Sequence, residues 1–307
     1  MIVTERKGSI RLLFTIYGST LPRIWPRLLG IAVVAEVVVL LKERAGLFHS
    51  ALSVQPFSIM GIALGIFLGF RNNTCYDRWW EGRMLWGRIT NDARNLARLI
   101  LSLNRKDGKT DERAAEEVRT LIAWVHALRM RLRRKAQYEE LRPLLPAHVH
   151  AALPSSTNPP LRILAHLSER LREDYDAKRF APHHHVAMEA AISELVHHQG
   201  GCERILSTPI PISYSVLLHR LVALYCFALP FALVGSLGHV TTFVSVAIAY
   251  AFIGIDAVGD ELEDPFGEDP NDLPLLAISQ TIEANLRELL GEGDVPLPTP
   301  DDRGRLR

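Results

Sequence analysis

Cysteine is scarce in this chain, with three in 307 residues, at positions 75, 202 and 226. An odd number without short spacing supports neither a disulfide framework nor a thiolate metal site, so buried free thiols are expected. A surplus of charge is missing too. Thirty-five Lys and Arg stand against 34 Asp and Glu, a formal net charge of +1. Neutralising nucleic-acid phosphates needs a basic excess, and that partner class is excluded. No P-loop, dinucleotide-binding glycine pattern, Ser/His/Asp arrangement or paired-histidine zinc motif is present. Nor does any period of about 20 to 50 residues repeat, so a solenoid is not expected. The opening run MIVTERKGSIRLLF carries charges at 5, 6, 7 and 11 and no small-residue cleavage site. A removable signal peptide is not expected there.

What is present is segregation. Long apolar runs concentrate in residues 24 to 70 and 216 to 255, whereas 71 to 204 is rich in arginine, glutamate and histidine. The division predicts a membrane part and a water-facing part. Leu221 to Ile255 is 35 residues long and His239 is its only potentially charged residue. That length suits two spans turning at Gly235 to His239, with Pro230 tolerated because neighbours re-satisfy the freed carbonyl. An N-terminal pair is expected from Leu28 to Leu41 and Phe57 to Phe70, each short of the roughly 20 apolar residues a span needs. Tilting and helix extension close the gap. Glu36 interrupts the first run, and a carboxylate at that depth is expected inside the bundle.

The two short turns, Leu47 to Pro56 and Gly235 to His239, hold no Lys or Arg. The positive-inside tendency then places both termini and the middle region in the cytoplasm, with four crossings of the membrane. Trp79, Trp80 and Trp86 are read as interfacial anchors. In the middle region Asp111 to Lys135 has an acidic start, a basic end and apolar residues at helical spacing, which predicts a helix. Further helices are expected over 162–174 and 185–205, after the break at Leu153 to Pro160. Four segments result: 1–104 with the first two membrane helices, 105–205 as a cytoplasmic helical region, 206–258 with the last two membrane helices, and 259–307 as an acidic segment and C-terminal helix.

Within Phe57 to Phe70, glycine recurs at 61, 65 and 69. On a helix, residues four apart share a slowly drifting stripe. Gly61, Gly65 and Gly69 form one stripe, which lets a neighbouring backbone approach closely. Ile62, Ile66 and Phe70 form the next, about 100° around the axis. Two readings are open for the bulky stripe: an ordinary membrane core, or the lining of a narrow, dry constriction that gates by dewetting. No proline or glycine pair follows until Gly82, so the helix is expected to continue past Phe70.

Eight carboxylates fall between Asp256 and Asp272, in a stretch with no Lys or Arg from Leu221 to Leu286. Such density needs cations or remote arginines, and oxygen-only ligands suit hard ions such as Ca²⁺. One alternative is a belt that pairs with the arginines of 71–98. Another is a membrane prenyl transferase, with Asp256, Asp260 and Asp264 holding Mg²⁺ and a diphosphate. That reading needs a second acidic motif in a membrane helix, where only Glu36 is available. The histidines at 183–185 and 197–198 point different ways on a helix and are read as a solvated surface.

Three pieces carry a family resemblance. Pro56 to Phe70 ending in Gly-Phe, then Arg78-Trp79-Trp80, resembles the bestrophin family of ion channels and its bacterial branch. DELEDPFGEDPNDLP, Asp260 to Pro274, is similar to the family's acidic segment after the last membrane helix, and GCERILSTPIPISY, Gly201 to Tyr214, to the bacterial branch. The resemblance implies an all-α membrane protein with four transmembrane helices per subunit. Long helices would extend into a helical cytoplasmic region, and a homopentamer would enclose one central pore. It places the pore neck on Ile62, Ile66 and Phe70, and implies a second constriction in the middle region, for which Phe180 and Val186 are the candidates. Animal relatives clasp calcium with the acidic segment. Here the matching residues are Asp269 and Asp272, with Asp264 replacing a carbonyl ligand and Glu261 a glutamine; Glu268 lies in the same belt. The function expected is passive conduction of small inorganic ions, without catalysis. Cations are favoured if the carboxylates face the pore, and the alternative is a chloride channel as in the animal relatives.

Overall fold

The computed structural model describes residue 1 and residues 15–46, 53–106, 109–293, 295–302 and 304–306. Most of the run read for a signal peptide, and residues 47–52 of the first turn, lie outside the described residues. Among the described residues the chain is helical, apart from an antiparallel pairing of Arg105–Lys106 with Lys109–Thr110. They divide into two compact units, one of residues 4–79 and 209–265, the other of residues 1–3, 80–208 and 266–307.

The first unit contains α1 (Leu21–Ala45), the leading part of α2 (Val54–Leu103), α7 (Ile212–Leu237) and α8 (Val240–Glu263). Each of these four helices is long and apolar enough to cross a membrane, so the protein is a membrane protein. Pro26 sits early in α1, where it frees only the carbonyl of Pro22 from the helical ladder. At the far end Gly46 takes the left-handed conformation, φ 63°, and its N–H caps Leu41 O, a stop that a side chain would resist. Helices α7 and α8 turn at Gly238, inside the predicted hinge. Lys42 Nζ donates to Val234 O at 2.5 Å and to Gly235 O at 3.3 Å, answering carbonyls that α7's last turn leaves without a partner. Leu28, Leu64, Leu68, Leu218, Cys226 and Ile253 meet in the core of the unit.

The second unit is built on α3 (Glu112–Leu132), which buries Val118, Leu121, Ile122, Trp124, Val125 and Leu128. Around it pack α5 (Pro159–Asp176), α6 (Pro182–Ser207) and α9 (Leu275–Leu290). A 3₁₀ turn (Tyr138–Leu144) and the short α4 (Ala147–Ala152) connect α3 to α5. Trp124 Nε1 donates to Gln199 Oε1 at 3.0 Å, which settles the one polar atom of a fully buried indole.

Helix α2 runs unbroken past Phe70, and the boundary between the units falls within it at Trp79/Trp80. All three cysteines are buried and free. Three expectations need correction. Trp86 is wholly buried in the second unit and anchors no interface, because its helical phase matches the buried Ile89 and Ala93. His198 is buried and bonds Asp92 Oδ2 at 2.9 Å; it is not a solvated histidine. Glu36 is exposed on the protomer surface and accepts from Thr242 Oγ1 at 2.9 Å. Ile31, Ala35, Val38 and Val39 take the inward face of α1, which turns position 36 outward.

Candidate functional site: an apolar stripe and its latch

The inward face of α2 in the first unit is marked by Leu64, Leu68, Arg71 and Cys75, all buried. Two residues further along a helix is about 200° around the axis. Ile66 and Phe70 therefore lie nearly opposite Leu64 and Leu68, and with Ile62 they are 68%, 53% and 61% exposed in the order 62, 66, 70. The bulky stripe is not core within one chain.

The glycine stripe is split. A Cβ at position 61 would sit 2.7 Å from the Tyr225 hydroxyl, so a side chain there would force the Tyr225 ring of α7 to shift. At Gly65 and Gly69 a Cβ would meet nothing within 4 Å. Their free faces lie beside the exposed stripe.

One residue beyond Phe70 stands Arg71, 1% exposed, amid carboxylates of α8. Its Nη1 donates to Asp256 Oδ1 at 2.8 Å, and its Nη2 to Asp260 Oδ1 at 2.6 Å and Glu263 Oε2 at 3.4 Å. His219 of α7 closes the group, Nδ1 to Asp256 Oδ2 at 2.5 Å and Nε2 to Asp260 Oδ1 at 3.4 Å. Asn72 Nδ2 donates to Ile255 O at 3.0 Å, and Arg78 Nε to Glu263 O at 3.3 Å. The spacing of Asp256, Asp260 and Glu263 puts three carboxylates on one face of α8, where a planar guanidinium grips two of them at once. Gly259 makes the approach feasible, since a Cβ there would lie 2.5 Å from Asn72 Oδ1 and 3.3 Å from Arg71 Nη1. The latch fixes the rotation of α2 at the residue next to Phe70.

Among the described residues, His219, Asp256 and Asp260 bring metal-ligating atoms close together, but Arg71 already occupies their midst. A Mg²⁺–diphosphate has no free carboxylates there, and the prenyl-transferase reading falls.

The rest of the acidic segment lies in the second unit, lining a cavity with Glu268, Asp269 and Asp272. Lys135 Nζ reaches Glu268 Oε1 at 2.6 Å and Arg133 Nη1 the same oxygen at 3.5 Å. Asp272 Oδ2 accepts from the Asp269 N–H at 2.6 Å, and Arg305 donates to Glu268 O. The hydrogen bond from Lys135 holds the Glu268 carboxyl below the usual range. Arg133 and Arg305 line the same cavity, which holds cations of the chain's own where a calcium cage needs bare oxygens. These donors do not fit calcium. Glu261 and Asp264 stand apart, Glu261 within α8 and Asp264 at its C-cap.

The two middle-region candidates differ. Phe180 is buried, its ring 6.4 Å from that of His185, whereas Val186, the fifth residue of α6, is 67% exposed.

His219 and Gly259 were missed by sequence reasoning. A histidine at the mouth of an otherwise apolar run was the available signal for the first. The second shows only when Asn72 is brought against it by folding.

Four apolar helices, an outward apolar stripe and an ionic latch behind it define a multi-pass helical membrane protein. The family model described as Bacterial/Fungal Bestrophin protein matches residues 1–288, and the chain belongs to the bestrophin family. Among its relatives is a protein of Salmonella typhi named voltage-dependent anion channel-forming protein YneE, 39% identical over the full length of both chains. Another, voltage-dependent anion channel-forming protein RSc3414 of Ralstonia nicotianae, is 40% identical over 95% of each chain. The crystal structure of a bacterial bestrophin homolog from Klebsiella pneumoniae superposes with a TM-score of 0.81 at 37% identity, covering 89% of this chain and 100% of that one.

Proposed function

We propose that the protein is a passive channel for small monovalent ions, assembled as a homopentamer around one pore in a bacterial inner membrane, with both termini in the cytoplasm. The observation that carries this reading is the exposure of Ile62, Ile66 and Phe70 opposite the buried face of α2. Large apolar side chains on the free side of a latched helix need a partner surface. Copies arranged around an axis supply it, with Gly65 and Gly69 letting neighbouring backbones close in. The three side chains then ring a dry constriction that wets to conduct. A second constriction is assigned to the turn from Phe180 to Val186, where Val186 offers the exposed apolar side chain.

An apolar neck selects no sign of charge. The lean to cations rested on carboxylates facing the pore, and Arg71, Lys135 and Arg133 hold Asp256, Asp260, Glu263 and Glu268 in ion pairs instead. The relatives' names, voltage-dependent anion channel-forming proteins, speak for anions. The proposal is therefore made for small monovalent ions of either sign.

Current across a planar bilayer under a KCl gradient tests it. A reversal potential near that of potassium assigns cations, and one near that of chloride assigns anions. Ile66→Ala is expected to widen the neck and raise single-channel conductance severalfold. Unchanged current in the variant removes the neck assignment, and silence in both proteins removes the channel.

A further inference from the structure

The first unit has a groove of about 600 Å³ between α1 and α7 that the pore reading does not use. Val34, Ala223 and Phe227 wall it with apolar surface, while Arg27 and Arg220 line it on opposite helices. Arg27 is the seventh residue of α1 and Arg220 the ninth of α7. With α8 and the leading part of α2 running the other way, both arginines lie about 10–12 Å in from the starts of their helices, at the same end of the groove. Val34 and Phe227 each follow by seven residues, about two turns deeper.

Both guanidinium groups are exposed, and neither has an ion-pair or hydrogen-bond partner among the described residues. That sets them apart from Arg71, whose charge is met three times over within the same unit. Asp256 borders the groove but is held by Arg71 and His219, so it does not neutralise them. Two unmet cations over an apolar trough, in helices built for a bilayer, match one molecule found at that depth: a phospholipid, phosphate outward and acyl chain inward.

We propose that this groove is a binding site for an anionic phospholipid, with Arg27 and Arg220 holding its phosphate and one acyl chain lying along Val34, Ala223 and Phe227. The arginine stems pack on the trough while their heads reach the phosphate, as long cationic side chains do at a membrane boundary. Phosphatidylcholine, whose headgroup carries a cation of its own, binds more weakly.

Native mass spectrometry of the detergent-purified protein, titrated with phosphatidylglycerol or phosphatidylcholine, tests the site. Wild type is expected to retain phosphatidylglycerol preferentially. The Arg27→Gln/Arg220→Gln double variant is expected to bind it about 30-fold more weakly, the factor two lipid-facing cations carry, with its phosphatidylcholine binding unchanged as proof of folding. Arg44→Gln removes an exposed charge from the other end of α1 and is expected to leave the preference intact. Wild-type phosphatidylglycerol affinity in the double variant overturns the proposal. So does a Phe227→Cys disulfide-linked dimer formed at full yield in membranes, which would show a second copy seated on the groove. If inorganic phosphate at millimolar concentration displaces the lipid completely, the acyl half of the proposal falls.

Discussion

Arg71 shows how one side chain sets the orientation of a surface it does not belong to. Buried at 1% exposure, it neutralises Asp256 and grips Asp260, so removing it strands a carboxylate in a dry site. Breaking such a pair from one side costs about 3–5 kcal/mol. Arg71→Met is expected to lower the thermal unfolding midpoint in detergent by many degrees, and Arg71→Lys, which keeps charge but not the two-pronged grip, by less. Equal midpoints for wild type and Arg71→Met would show that the latch carries no stability. Gly259→Ala places a methyl 2.5 Å from Asn72 Oδ1. Its expected effect is a smaller loss of stability together with altered conductance, because the methyl pushes α8 from α2 without deleting a charge. At this scale the sequence was half legible. Arg71 could be read as the end of an apolar run and the α8 carboxylates as a spaced set. A belt pairing with the arginines of 71–98 was one open reading of those carboxylates; which arginine takes which carboxylate could not be read, since 185 positions separate Arg71 from Asp256.

Between elements, the pairing of α3 with α5 encloses two carboxyls, Glu117 and Asp174, each 1% exposed. Arg113 lies 3.9 Å from Glu117 Oε1 and pairs with Asp174, while Arg179 comes within 3.7 Å of Asp174 Oδ1. Burial, reinforced by the Asp174 charge, pushes the Glu117 carboxyl up to about 8, against the pull of Arg113 and Arg170. A carboxyl raised above its unfolded value binds its proton more tightly in the folded chain. Its contribution is complete below about pH 4.5 and is lost as pH rises through about 8. Glu283 works in the opposite sense. Hydrogen bonds from His126 and Arg287 draw it down to about 2, so its contribution stands above about pH 4.5 and fades as pH falls toward 2. Glu117→Gln is expected to flatten the decline in unfolding midpoint between pH 5 and 8 and to leave the acid limb unchanged; an unaltered slope would mean Glu117 is ionised throughout. The helix at Asp111 to Lys135 was plain from its dipole-matched ends and apolar spacing. Position 117 looked like surface because α3 is buried nearly all round, and periodicity reports one buried face, not the several that a central helix presents.

For the whole molecule, the large apolar side chains left uncovered on one chain are the main lead to assembly. Ile59, Ile62, Phe70 and Phe243 are each more than half exposed. In the proposed assembly lipid covers some of this surface, and neighbouring copies the rest. Native mass spectrometry in mild detergent is expected to give five times the 34.4 kDa chain mass, and a monomer or dimer would remove the shared-pore reading. The membrane-capable helices and the apolar stripe were legible because hydrocarbon imposes length and polarity on a sequence directly. The joining of residues 266–306 with residues 80–208 was not, because nothing in either stretch names its partner.

If Phe70 lines the proposed constriction, its adjacency to Arg71 restricts how that constriction opens. A twist of α2 by one residue, about 100°, would swing the guanidinium to the position of the phenyl ring and tear it from three carboxylates. In the proposed channel the aperture would therefore dilate like an iris, each α2 tilting or sliding as one body with α8, and not turn like a tap. Were the latch to fail, the oily ring would become a collar of positive charge, and a gate indifferent to sign would become a trap for anions.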